Sequence, residues 1–267
     1  AKTTMTVEAL MPDGKALQCG TSHNLGQGFA KVFNVKFKGR DEKDYFTWQT
    51  SWGFSTRLIG ALIMVHGDDK GIILPPKIAT DKIVIVPIFF DDSRDKVMKK
   101  SHEIAKRLEK FGIMLDDRDG YSAGWKFNEW EMKGIPLRIE IGPKDLVAKK
   151  VTIVRRDNGK KEQVAEGKLI KRIEALLDEM QRDIYIKAEK FLHSRIDSAS
   201  SFAELKKKLK DGKIVKVYMK NDIDVEAELK DQTGGATSRI IEDVSKEGKC
   251  VVSGEMVKTV GYVAKAY

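Results

Sequence analysis

Lys82-Ile83-Val84-Ile85-Val86-Pro87-Ile88-Phe89-Phe90 is the stretch that decides the fold. Its apolar run is almost unbroken, and a strand without polar alternation belongs to a sheet covered on both faces. Downstream, residues 94–111 have helical period, with Val97, Ile104, Ala105 and Leu108 on one side, and Gly112 fits a C-terminal cap. Ile113-Met114-Leu115 reads as a strand and residues 125–133 as a short helix closed by Gly134. Leu137-Arg138-Ile139-Glu140-Ile141 alternates like a strand, and residues 151–156 add another before a turn at 157–160. Strands alternating with helices in this order predict an α/β sandwich with a mixed sheet.

Upstream, residues 7–11 and 16–19 flank Pro12-Asp13-Gly14-Lys15, a turn of hairpin type. Asn24 is positioned to cap a short helix over 25–33. A β-type run at 45–50 leads through Ser51-Trp52-Gly53 into a buried apolar helix at 58–65, and 72–74 reads as a returning strand. Pro75-Pro76 then ends regular structure. Beyond the α/β region, residues 169–191 form an amphipathic helix with the role of a spacer, carrying Ile173, Leu176, Leu177, Met180, Ile184, Ala188 and Phe191 on its stripe. The remainder predicts a basic helix around 205–209, strands at 214–218 and 250–252, and a Gly-rich loop at 233–235. The fold class is therefore α/β and α+β in several domains.

The 267 residues hold 49 Lys plus Arg against 40 Asp plus Glu, a formal charge of +9. That excess points to an anionic partner, most commonly nucleic acid. No apolar stretch approaches the ~20 residues needed to span a bilayer. The sequence starts with no signal peptide, and its two cysteines, Cys19 and Cys250, are too few for a disulfide framework. These features predict a cytoplasmic protein with no membrane partner.

Two clusters carry candidate chemistry. In Thr50-Ser51-Trp52-Gly53-Phe54-Ser55-Thr56-Arg57, a strand ends at a glycine and an arginine follows in the first turn of a helix. Exposed N–H groups there favour an anion, and Arg57 can hold a phosphate through two hydrogen bonds. Taken alone, such an arginine more often caps a sheet or pairs with a carboxylate. In Gln18-Cys19-Gly20-Thr21-Ser22-His23, strand alternation puts Gln18 and Gly20 on one face and Thr21 and His23 on the other. Gln and Thr suit a ribose or a purine edge.

Together these clusters resemble a known family. Gly20-Thr21-Ser22-His23-Asn24-Leu25-Gly26-Gln27, the Gln49 to Arg57 stretch, and His66-Gly67-Asp68-Asp69-Lys70-Gly71-Ile72-Ile73-Leu74-Pro75-Pro76 are similar to the archaeal and eukaryotic-type, class II prolyl-tRNA synthetases. Trp125-Lys126-Phe127-Asn128-Glu129-Trp130-Glu131-Met132-Lys133-Gly134, with Glu140-Ile141-Gly142-Pro143-Lys144-Asp145, resembles that family's anticodon-binding domain. The terminal Ala264-Lys265-Ala266-Tyr267 resembles its C-terminal end.

The resemblance implies a proline–tRNA ligase with ATP and Mg²⁺, tRNA-Pro and proline as ligands, and a homodimer when complete. Gln18, Thr21, Ser55 and Arg57 would bind ATP; His23, Ser51, Trp52 and Gly53 would line the proline pocket. Phe127, Glu131 and Lys144 would read the anticodon, with Glu131 set beside Lys126 and Lys133. For Phe127 and Trp130, stacking on bases and packing on the sheet both remain open. The implied domains are 1–78, the C-terminal part of an antiparallel-sheet catalytic domain; 79–165, anticodon-binding; 166–198, a linking helix; and 199–267, a small α+β domain. The family's first two class II motifs are not found, so the alternative is a non-catalytic tRNA-binding module. Where many relatives carry zinc, only Cys250 stands at a ligand position and Ser253 replaces its partner, so no structural zinc is expected. Asp222 and Asp224 read as solvated acids. The apolar, aromatic tail ending in Tyr267 is expected to dock near Arg57 or the Ser51-Trp52-Gly53 turn.

Overall fold

β1 (Thr3–Leu10) and β2 (Ala16–Gly26) form the hairpin that the Pro12-Asp13-Gly14-Lys15 turn predicts, in a computed structural model describing residues 1–267. β2 runs on through Leu25, so the helix expected at 25–33 shrinks to α1 (Gly28–Val32). Asn24 does not cap it; the Asn24 Oδ1 accepts from Gly26 N at 3.0 Å, a local turn that competes with helix initiation. β3 (Lys36–Lys38) and β4 (Asp44–Phe46) make a separate two-stranded ribbon. β5 (Gln49–Phe54) joins the first hairpin in the order β1-β2-β5, and α2 (Arg57–His66) follows. The helix is mostly exposed, against expectation: only Ala61 is buried, packed with Met11, Leu17 and Cys19.

The next elements build a five-stranded mixed sheet. β6 (Ile83–Pro87), α3 (Arg94–Leu108), β7 (Ile113–Leu115), α4 (Ala123–Lys133), β8 (Leu137–Ile141), α5 (Pro143–Ala148), β9 (Lys150–Arg155), β10 (Lys161–Ala165) and α6 (Leu169–Arg195) follow in turn. The sheet order is β10-β9-β8-β6-β7, with β6 parallel to both β7 and β8 and the other pairs antiparallel. Ile83 and Ile85 face a core with Val97, Ile104 and Leu108 of α3 and Leu169 and Ile173 of α6. Val84 and Val86 face the other way, onto Phe127 and Trp130 of α4. The unbroken apolar run of β6 is thus explained, because each fully buried aliphatic side chain contributes about 1.5–3 kcal/mol on whichever face it lies.

The long helix is no free spacer: its first half is core. Residues 72–74 form no strand either. Ile72 N and Leu74 N donate to Met132 O and Gly134 O at 3.3 and 3.2 Å, the open carbonyls at the end of α4, while Ile73 packs on Met180 and Ile184. Gly71 must be glycine there: at φ +132 a Cβ would lie 2.5 Å from the Met132 carbonyl oxygen.

The last elements are β11 (Ile196–Ser198), α7 (Phe202–Lys210), β12 (Ile214–Tyr218), α8 (Ile223–Thr233), β13 (Ala236–Lys249) and β14 (Met256–Lys265). Their sheet order is β11-β12-β14-β13. Residues 250–252 are the turn of the β13–β14 hairpin and not a strand. Asp222 is not a loose acid: its side chain caps α8, accepting from Asp224 N at 2.9 Å. By compactness the chain divides into two units, Ala1–Val65 with Phe191–Tyr267, and His66–Lys190. No helix is long and apolar enough to cross a membrane.

Candidate functional site

In the first unit, strand register assembles the site. Thr4, His23 and Ser51 lie in one cross-strand row and Thr6, Thr21 and Gly53 in another. Residues directly opposite in antiparallel strands project to the same face. A bulge inserts Cys19 as an extra residue in β2 and pairs Gln18 with Glu8. The extra residue resets the alternation, so Gln18 joins Thr21 and His23 on one face. Simple alternation had separated them. Trp52 pairs with Ser22 in the intervening row, so its ring projects from the opposite face and is 77% exposed. The pleat that presents Ser51 and Gly53 beside His23 therefore turns Trp52 away, correcting the expectation that its ring shares their wall.

Arg57 reaches this face from the start of α2. β5 stops at Phe54, opposite Gly20, and beyond its end Arg57 Nη1 donates to Gln18 O at 3.4 Å. Ser55 Oγ accepts from Arg57 N at 3.3 Å, fixing the first turn. Both side chains are exposed. The His23 Nδ1 lies 2.9 Å from Thr4 Oγ1.

Two neighbours of this face, Glu8 and Arg239, were not singled out in sequence as part of it. Glu8 shares the row of Gln18, and Arg239 donates to Glu8 Oε1 at 3.2 Å from a bulge between Ser238 and Ile240. Arg239 also contacts Thr237 Oγ1, while its Nε is buried without a partner. No motif marks position 239; a bulge re-aims a side chain without a sequence signature. Tyr267 lines one cleft with Gln18, Arg57 and Arg239. Its backbone N donates to Ala16 O at 3.2 Å and its hydroxyl to Asp13 Oδ2 at 2.9 Å. Of the two places expected for the tail, it therefore lies on the Arg57 side, resting on the β1–β2 turn and away from Ser51-Trp52-Gly53. Slight burial works to raise the Asp13 carboxyl, but the hydrogen bonds from Tyr267 and Lys15 hold it below its ordinary value.

In the second unit the candidates are already paired. Glu131 accepts from Arg138 Nη1 at 3.1 Å and lies 3.2 Å from Lys70 Nζ. It is not beside Lys126 or Lys133, because those lysines serve other carboxylates: Asp116 and Glu129. Burial works to raise the Glu131 carboxyl, yet Arg138 and Lys70 hold it low. Arg138 is 7% exposed, bonds Glu140 Oε1 at 2.9 Å and lies 4.0 Å over the Phe127 ring. Phe127 packs against Val84 and Val86, so of the two roles left open for it and Trp130, packing on the sheet is the one observed. Lys144 is exposed in the first turn of α5.

Asp116 gathers a second charge cluster along α4, from Lys126 to Trp130. Its side chain is fully buried and accepts from Arg118 Nε and Nη2 at 2.8 Å each and from Trp130 Nε1 at 2.8 Å. Burial alone would raise its carboxyl; those bonds and the Lys126 charge outweigh it and lower it to about 2. Nothing in the run Asp116-Asp117-Arg118-Asp119 distinguishes the buried acid from its exposed neighbours. Cys250 is buried, and its Sγ accepts from Ser253 N at 3.4 Å.

Comparison with known proteins bears on the second unit and on the C-terminal elements of the first. A family model described as an anticodon binding domain matches residues 82–176, and one described as prolyl-tRNA synthetase, C-terminal, matches residues 202–267. The proline–tRNA ligase of Natranaerobius thermophilus is 46% identical over 254 residues, 94% of this chain and 52% of the relative. That of Oceanobacillus iheyensis is 44% identical over 269 residues, 100% of this chain and 56% of the relative. That of Cenarchaeum symbiosum is 41% identical, covering 99% of this chain and 56% of the relative. The chain spans about half the length of the curated relatives it matches.

Proposed function

We propose that this chain, which belongs to the prolyl-tRNA synthetase family as its C-terminal portion, supplies one wall of the aminoacylation site and the anticodon-reading domain of a proline–tRNA ligase. The observation that carries this reading is the gathering of Gln18, Thr21, His23 and Ser51 on one sheet face, with Arg57 at its edge. Activation joins the proline carboxylate to the α-phosphorus of ATP and releases pyrophosphate. Arg57 supplies fixed positive charge where charge builds on the phosphates, and Gln18 and Thr21 offer amide and hydroxyl groups to the nucleoside. Ser51, Gly53 and His23 position the amino acid, with Thr4 orienting the His23 ring. Catalysis on this wall is positioning and charge stabilisation.

Magnesium would accompany ATP as its counter-ion. The carboxylate on this face, Glu8, is engaged by Arg239, and no group of three or more His, Cys, Asp or Glu clusters in a metal-binding arrangement. These residues alone do not make a divalent-cation cage.

On the second unit, an ionised Glu131 fixed by Arg138 and Lys70 can accept from the Watson–Crick edge of an unpaired guanine, with Lys144 available to a phosphate. Cytoplasmic aminoacylation is the corresponding setting. The test is proline-dependent ATP–pyrophosphate exchange by a full-length ligase carrying this chain, alongside binding of a proline-anticodon stem-loop RNA by the chain itself. RNA binding with no exchange would support a non-catalytic tRNA-binding module. Neither activity would reject both readings.

A further inference from the structure

Two aromatic rings beside the Asp116 network lie outside both candidate sites. Tyr121 and Trp125 stack with ring centroids 4.1 Å apart and planes 24° from parallel. They are 48% and 43% exposed, so the pair is presented to solvent. Of the aromatic pairs on this chain it is the one with the shortest centroid separation, the others lying 5.9 and 6.3 Å apart.

The pair is also held rigidly. Tyr121 immediately precedes Ser122, whose hydroxyl caps α4 by accepting from Trp125 N at 3.2 Å. The Arg118 guanidinium lies 5.2 Å from the Tyr121 ring centre and 5.4 Å from that of Trp125. Arg118 cannot swing away freely. Two bonds of 2.8 Å tie it to the buried Asp116, and a further contact ties it to Glu129.

We propose that Tyr121 and Trp125, braced by Arg118, form a stacking platform for an unpaired base of the anticodon loop. The proposal rests on the anticodon-reading assignment above, since both rings fall within residues 82–176. Every base has a π-face, and aromatic side chains with arginine are the usual receptors for splayed bases. The local charge favours a base over a phosphate. Arg118 is balanced by Asp116 and Glu129, and Asp117 and Asp119 are close in sequence, so the platform offers a flat face without free positive charge. Its contribution is therefore stacking and not counterion release.

The probe is a stem-loop RNA bearing the proline anticodon, with 2-aminopurine substituted in turn at each loop position, titrated against the 267-residue chain. One loop position should be quenched on binding by stacking. Trp125→Ala and Tyr121→Ala should each weaken binding about tenfold and abolish that quenching. The salt dependence should keep its slope, because no phosphate contact is lost. Tyr121→Phe keeps the ring and should bind like the unaltered chain. Trp125→Leu keeps apolar packing without the π-face, so it should lose the quenching even if Trp125→Ala fails to fold. Variants that bind and quench like the unaltered chain would overturn the platform and leave anticodon reading intact. An unaltered chain that does not bind the stem-loop would overturn the anticodon reading, and the platform with it.

Discussion

The β1–β2–β5 face and the α4 face handle polar side chains in opposite ways. On the first, Ser51, Ser55 and Arg57 are exposed, and Arg57 makes one long bond of 3.4 Å to a backbone carbonyl. On the second, Arg138, Glu131, Glu140 and Asp116 are buried or half-buried and each already has two or more partners. Polar groups left in water cost the fold little, so the residues of the first face are free to serve the proposed ligands without a cost in stability. Charges taken out of water must be paired, so the second set holds the domain together before it meets any ligand. Substitutions on the first face should therefore change activity without stability, and those on the second should change stability first.

The sharpest break of that contrast is Arg138→Ala. It strands Glu131 and Glu140 without their shared cation and opens space beneath Phe127. Removing one partner of a buried ion pair costs about 3–5 kcal/mol. Urea unfolding should show a lower midpoint with unchanged slope. A midpoint within error of the unaltered chain would mean that the cluster is as dispensable as a surface pair.

Arg57→Ala is the converse. Losing a charge-stabilising donor in a closed active site costs about 3–4 kcal/mol of barrier, or 10²–10³ in rate. Proline-dependent exchange in the full-length ligase should fall by that factor, while the melting temperature and binding of the anticodon stem-loop stay unchanged. A drop in melting temperature comparable to that of Arg138→Ala would show that the two faces are not distinguished as described.

The same contrast marks what was legible in sequence. The second unit's sheet could be read because β6 is an unbroken apolar run and β8 alternates apolar with polar residues, both strand patterns, although the burial of Arg138 and Glu140 was not legible in the second. The first unit's site residues could be named but not arranged: Cys19 is one extra residue, and a bulge leaves no trace in hydrophobic pattern. β13 was missed because its sequence, Ala-Thr-Ser-Arg-Ile-Ile-Glu-Asp-Val-Ser-Lys-Glu-Gly-Lys, is mostly exposed and carries no period. The apolar Val251-Val252 pair drew the strand assignment into the turn that follows it. Burial of Asp116 was invisible for a related reason. What buries it is Trp130 and Lys126, brought over by the next helix.

Asp116 offers a smaller test, in acid. Its carboxyl is lowered from 3.8 to about 2 in the folded protein. A depressed folded value contributes stability that is present above the ordinary carboxylate range and lost as pH falls through the folded value. The size is about 2 kcal/mol. Asp116→Asn mimics the protonated acid, so it should lose that amount near neutral pH. The gap between the two proteins should close between pH 4 and pH 2 in parallel urea titrations. A gap that stays constant across this range would show that Asp116 acts by shape and hydrogen bonding alone.

The smallest effect is expected where the two behaviours meet, at Tyr267. Its ring lines the cleft with Gln18 and Arg57, yet its hydroxyl is spent on Asp13 in the β1–β2 turn and the Lys15 ammonium lies 4.8 Å from its ring. The group is well exposed, and an exposed hydrogen bond of this kind adds little to stability. Tyr267→Phe removes the hydroxyl and keeps the ring in the cleft. The melting temperature should not move. The Asp13 carboxyl, held low partly by that hydroxyl, should titrate closer to its ordinary value, which side-chain NMR can follow. Exchange kinetics in the full-length ligase should also be unchanged, because the hydroxyl points at the turn and the ring remains. Deleting Tyr267 altogether removes the ring as well, and should change the rate or the proline KM with the melting temperature still unaltered. If deletion instead lowers the melting temperature and leaves the kinetics alone, the tail belongs with the paired, structural charges of the α4 face and not with the open face it adjoins.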